Sequence, residues 1–243
     1  MTEAEWLTAT DPASMLALLE RKSSNRKLRL FAVACCRRLT SHFKDHRSLE
    51  MVEASEQFAD EMLDRAQLEL AFNAAAEAQV AVHWEGGDAV DQSSAEAVLG
   101  LRNDLAFQQV FERAVEAAGA FSASEAWDRI YSPPARHWSE TEREHNEAEE
   151  AGERTERTAQ SALLRDIFGN PFRPVSLESN WLTIDSVSVA RGIYDGRAFE
   201  RMPILADALQ DAGCDNEEIL GHCRGDGPHV KGCWVVDLVL GKQ

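Results

Sequence analysis

The chain's densest concentration of chemically capable side chains lies in "GCDNEEILGHCRGDGPHVKGCWVVDLVLGK", residues 213 to 242. This stretch holds three of the five cysteines and two of the seven histidines. Cys214, Cys223, His229 and Cys233 make up a Cys3His set, a combination that suits structural zinc. The spacing is Cys-x8-Cys-x5-His-x3-Cys rather than paired short knuckles. Gly213 reads as the stop of one helix, and Asp215 or Asn216 as the N-cap of the next, "EEILGHCR". Cys214 and Cys223 then stand at opposite ends of that helix, about 13 Å apart at a 1.5 Å rise per residue. Two thiolates each about 2.3 Å from one ion need to be far closer. Cys214 drops out.

What remains is a smaller cluster. With Asp226 or Gly227 as cap and Pro228 in the first position, a second helix places His229, Cys233 and Asp237 at i, i+4 and i+8 along one stripe. Cys223, or His222 as its substitute, could approach that stripe across the "RGDGP" turn. Cys223, His229 and Cys233 would then form a three-ligand zinc site with an open position. Alternatively His229 activates Cys233 as a nucleophile and Asp237 orients a charged partner. The competing reading is packing. Ile219 and Cys223 are i, i+4, and Val230, Cys233 and Trp234 share a face, so both cysteines read as small core residues. That reading is preferred, with no cofactor. Asp237 then needs a cation, for which Arg191, Arg197, Arg201 and Arg224 are candidates.

Other groupings are weaker. Residues 21–38, "RKSSNRKLRLFAVACCRR", carry Arg21, Lys22, Arg26, Lys27, Arg29, Arg37 and Arg38 without an acid. This basic run could meet an acidic partner, or pair within the fold with the glutamates of "ETEREHNEAEEAGERTER", such as Glu144, Glu147 and Glu156. Cys35 and Cys36 point about 100° apart on a helix and read as core. Glu142 and His145 have the i, i+3 spacing of a di-iron ligand pair, but the second copy is missing. The Gly225–Gly227 turn could receive an anion at a helix start, or serve only as a connector. There is no phosphate loop, dinucleotide fingerprint or serine elbow.

The elements that must position these residues are helical. Glycine and proline are scarce (14 and 7 of 243 residues), and alanine and glutamate dominate long stretches. Apolar residues recur at helical intervals in "TDPASMLALLERK", where Thr10 or Asp11 caps and Pro12 opens the helix, and onward through Phe31, Val52, Phe58 and Leu163–Ile167. Alternation of the strand kind is absent. The expected fold is all-α, a multi-helix bundle in two layers with a C-terminal module of short helices. The bundle spans 1–168, with a charged helix at about 139–160, and the module spans 169–243, divided at "GNPFRPV".

Composition narrows the function classes. With 25 Lys and Arg against 42 Asp and Glu, the formal charge is −17. Such a surface repels phosphate backbones and argues against general nucleic-acid binding. No apolar run is long enough to span a bilayer. "MTEAEWLTATDP" lacks the basic-then-apolar pattern of an export signal, so reduced thiols and a cytoplasmic location are expected.

The blocks "MTEAEWLTATDPASML", "RKLRLFAVACCRRL", "LLRDIFGNPFRP", "PILADALQDAGC" and "HVKGCWVVDLVLGK" resemble those of a recurrent bacterial protein family without an established activity. The resemblance covers the two ends of the chain. It implies a bacterial, cytoplasmic protein and adds nothing about chemistry. The residues themselves favour an intracellular interaction or adaptor protein without catalysis of its own. Glu144, Glu147, Arg26, Lys27 and Arg29 are the candidate contacts to another protein. The alternative is a zinc-binding or thiol-dependent enzyme or sensor built on Cys223, His229, Cys233 and Asp237.

Overall fold

The computed structural model describes residues 1–19, 23–84, 86–102, 112–113, 115, 120–121, 123 and 138–242. Among these, eleven α-helices and no strand are present, so the fold is all-α. Arg21 and Lys22, the loop expected around Pro133–Pro134 and most of the helical stretch expected beyond Arg102 lie outside the described residues.

The chain divides into two compact units, Thr10–Ser161 and a second made of Met1–Ala9 with Ala162–Gln243. The division falls at 161/162, not at the expected 168/169, and the N-terminal segment belongs with the C-terminal one. Hydrogen bonds explain this. The Trp6 indole N–H donates to the Gly169 carbonyl at 3.0 Å, and the Arg165 guanidinium donates to the carbonyls of Trp6 and Ala9.

The first unit contains α2 (Pro12–Leu19), α3 (Asn25–Arg38), α4 (His46–Ala59), α5 (Arg65–Trp84), α6 (Ala89–Leu99) and the start of α7 (Trp138–Phe168). Pro12 opens α2 as expected. Caps set several of the other starts. Ser24, Asp45 and Asp88 each accept a backbone N–H from the first turn of α3, α4 and α6. Leu30, Phe31, Val33, Cys35 and Cys36 of α3 are buried, so both cysteines are core residues, and burial raises both thiols.

The basic residues of α3 are drawn into the fold. Arg37 makes a two-pronged bond to Glu56 and Arg38 to Glu156, all at 2.9–3.2 Å. Arg26 pairs with Asp60 at 3.3 Å. Arg29 is 2 % exposed, donates to the Leu101 carbonyl at 2.6 Å and to Ser55 Oγ at 3.1 Å, and lies over the Phe58 ring. Its burial removes it from the surface contact patch expected of it. Lys27 is half-buried; of the two acidic candidates, Glu144 is half-buried and Glu147 is exposed beside Arg143 at 3.6 Å.

The second unit contains α1 (Glu3–Thr8), the end of α7, α8 (Ile184–Gly196), α9 (Met202–Asp211), α10 (Glu217–Arg224) and α11 (Trp234–Leu240). Thr2 and Glu5 form a capping box on α1. Its core gathers Ile193, Leu205, Leu209, Ile219, Val235 and Val236 with Cys214, Cys223 and Cys233.

Candidate metal centre

Three local features shape the site. The charged helix runs on through Leu163, Leu164 and Ile167, all buried, and carries Asp166 among them. Gly169, at φ +64°, ends it. α10 starts where expected: Asn216 Oδ1 accepts the N–H groups of Glu218 and Ile219, while Gly213 at φ +92° follows the end of α9. Cys214 therefore stands beyond one end of α10 and Cys223 near the other, as the helix argument requires.

The expected helix from Pro228 does not form. Gly232 takes φ +96°, outside helical space, so α11 begins only at Trp234 with Cys233 in the cap position. His229, Cys233 and Asp237 consequently do not line one stripe. Asp237 is buried within α11, apart from the cluster described next. The Gly225–Gly227 turn likewise leads into a loop rather than a helix start, so no helix N-terminus is available there for an anion.

Four side chains converge instead: Asp166 from α7, His222 from α10, His229 from the loop and Cys233 from the cap. Their ligand atoms all lie within 4.8 Å of one another. Asp166 Oδ1 stands 2.9 Å from His229 Nδ1 and 3.1 Å from His222 Nε2. His222 Nε2 is in turn 3.2 Å from Cys233 Sγ. Of the expected metal set, His229 and Cys233 are brought together, with the substitute His222 in place of Cys223. Adjacent helical residues diverge by about 100°. Cys223, one turn from Ile219, therefore enters the core and is fully buried, while His222 faces the loop.

Asp166 was not a sequence candidate. A signal was available: it is an acid inside an apolar stripe, i+3 from Leu163 and next to Ile167. A carboxylate at such a position needs partners. Its second oxygen, Oδ2, accepts the Val230 N–H at 2.9 Å.

Electrostatics follow from this packing. Burial alone would raise the Asp166 carboxyl, but hydrogen bonds and charge from His222 and His229 hold it below its ordinary value. Burial alone would lower His229, but the Asp166 carboxylate and the Gly225 carbonyl, 3.3 Å from Nε2, raise it. Burial and the Asp166 charge push the Cys233 thiol well up, against a smaller pull from the Val236 and Val235 N–H groups. Cys223 rises to about 12, also chiefly through burial.

Two chemistries are open to the cluster, metal ligation and a thiol relay. A thiol–imidazole–carboxylate relay needs the sulfur and the carboxylate on opposite ring nitrogens. Here both meet the same nitrogen, His222 Nε2, and Cys233 is fully buried. A cleft of about 310 Å³, lined by Arg165, Asp166, His222, His229 and the loop between Gly225 and Pro228, reaches the cluster from solvent. Glu142 and His145 belong to no such group among the described residues. Compared with known proteins, the chain matches no family model, no curated protein and no solved structure.

Proposed function

We propose that the C-terminal unit binds one zinc ion through Asp166 Oδ1, His222 Nε2, His229 Nδ1 and Cys233 Sγ, and that the ion staples the unit together. The observation that carries this reading is the convergence of the four atoms, with contacts of 2.9, 3.1 and 3.2 Å. Ligands set tetrahedrally at zinc bond lengths stand about 3.3–3.6 Å apart. To admit the ion, the three short contacts would open by a few tenths of an ångström and the longer separations, up to 4.8 Å, would close.

Groups behind the ligands support the same reading. A histidine on a metal usually donates its other ring N–H to a carbonyl or carboxylate. His229, with Nδ1 toward the cluster, has Nε2 directed at the Gly225 carbonyl. Asp166 keeps one oxygen for an ion because the Val230 N–H holds the other. One thiolate with two imidazoles suits zinc and disfavours magnesium or calcium, which take oxygen ligands. Four protein ligands fill a tetrahedron, so the role is structural. On this reading the protein works by binding rather than by catalysis, in a reducing compartment such as the cytoplasm.

The experiment is reconstitution. The full chain, stripped with a chelator and titrated with Zn²⁺ against a chromophoric competitor, should take up one equivalent. Cys233→Ser and His222→Ala should each weaken uptake by at least tenfold. Absence of a stoichiometric site in the unaltered chain would refute the proposal, as would unchanged binding in both variants.

A further inference from the structure

The zinc reading above is the premise here. We infer that α1 is the outer brace of the metal site, with Trp6, Arg165 and Gly169 as positioning residues that set where Asp166 and Cys233 stand.

Arg165 on α7 and Gly169 just past its end, one on each side of Asp166, hold α1. Arg165 Nε donates to the Trp6 carbonyl at 3.1 Å, and its Nη2 donates to the carbonyl of Ala9. One turn later the Gly169 carbonyl accepts the fully buried Trp6 indole N–H at 3.0 Å. Glu3 completes the clasp, accepting from Asn170 Nδ2 at 2.7 Å and pairing with Arg173 at 2.7 Å. The last turn of α7, which carries the carboxylate ligand, is thus tied to α1 from both sides of Asp166.

Gly169 connects this clasp to the sulfur ligand. A Cβ at Gly169 would come within 3.2 Å of Trp234 Cγ and 3.3 Å of Cδ2, so the indole packs directly on the glycine backbone. Trp234 follows Cys233 in sequence, and its ring centre lies 5.2 Å from that of His222. A continuous path therefore runs from Trp6 through Gly169 and Trp234 to Cys233 and His222, and a second through Arg165 to Asp166. Coupling of this kind is reciprocal: a brace that favours the ion is itself held more firmly when the ion is bound.

Trp6→Phe keeps an aromatic ring but removes the N–H donor together with one ring of the buried indole, a packing loss for which a core variant is the control. In the full chain it should bind Zn²⁺ about tenfold more weakly, the scale on which partners behind metal ligands act. It should also shift the ligand-field spectrum of the Co²⁺-substituted protein, which reports ligand geometry. Leu209→Ala, which opens the core of the same unit, serves as the control and should leave that spectrum unchanged. Zn²⁺ should slow hydrogen exchange of the α1 amides in the unaltered chain. A Trp6→Phe protein with unaltered affinity and spectrum overturns the inference, and so does a loss no different from that of Leu209→Ala. If the unaltered chain binds no metal, the zinc reading itself fails, a result the first titration separates from these.

Discussion

Asp166 Oδ1 and His229 Nδ1 are 63 residues apart in sequence and 2.9 Å apart in space. The pair ties the end of α7 to the loop that follows α10. The same carboxylate holds the Val230 N–H through its other oxygen and meets His222 as well. A buried carboxylate in these surroundings is a structural requirement before any ion is considered: its removal orphans a backbone donor and an imidazole together.

Asp166→Ala should therefore destabilise the metal-stripped protein by about 2–4 kcal/mol, the cost of leaving buried partners unpaired. Asp166→Asn, which keeps an acceptor for the Val230 N–H, should cost less. Urea denaturation in the presence of a chelator measures both. A change below about 0.5 kcal/mol for the alanine variant would show that the carboxylate's partners are satisfied without it.

Most of the fold was legible because helix signals are local. The cap at Asn216, Pro12 at the start of α2 and the stop at Gly213 each act within a few residues. The site was half legible for the same reason. His222, His229 and Cys233 lie within one short stretch, and the rise of α10 excluded Cys214. The register of the loop was not legible, because Gly232 at φ +96° breaks a helix that Pro228 and the spacing of His229, Cys233 and Asp237 otherwise favour. Asp166 is a tertiary contact, and no spacing rule reaches across 63 residues. An acid in an apolar helix needs partners, the condition that singles out Asp237. Asp166 met that condition equally.

The two titrating partners make the stability of the metal-stripped protein pH-dependent in opposite senses. The Asp166 carboxyl lies below its ordinary 3.8, so its contribution is present above 3.8 and is lost as pH falls through the lowered folded value. His229 lies above its ordinary 6.5, so its contribution is complete below 6.5 and is lost as pH rises through the raised folded value. The window for both is pH 3.8 to 6.5. Urea midpoints should be higher at about pH 5.5 than at about pH 8.5, and His229→Gln should flatten that alkaline decline. A midpoint that rises across this interval in the unaltered chain would contradict the sign.

All five cysteines are free and buried. Burial raises the thiols of Cys35, Cys36, Cys223 and Cys233, which leaves little thiolate at neutral pH. A disulfide reagent should titrate no thiol rapidly in the native protein and five in denaturant. One fast-reacting thiol in the native state, mapped to Cys233 by mass spectrometry, would favour thiol chemistry over a ligand role.

The first unit offers an independent test of how its basic helix is used. Arg29 spends its guanidinium on the Leu101 carbonyl, Ser55 and the Phe58 ring. Arg29→Ala removes those bonds and leaves a void and an orphaned carbonyl, at a cost of about 2–4 kcal/mol. Arg29→Met keeps most of the stem packing and should recover part of the loss. Glu147→Gln, on the exposed face of α7 and paired with Arg143 at 3.6 Å, should change stability by less than about 0.5 kcal/mol. Thermal denaturation of the three variants decides the matter: an Arg29→Ala protein as stable as Glu147→Gln would return Arg29 to the surface role its sequence neighbours suggest.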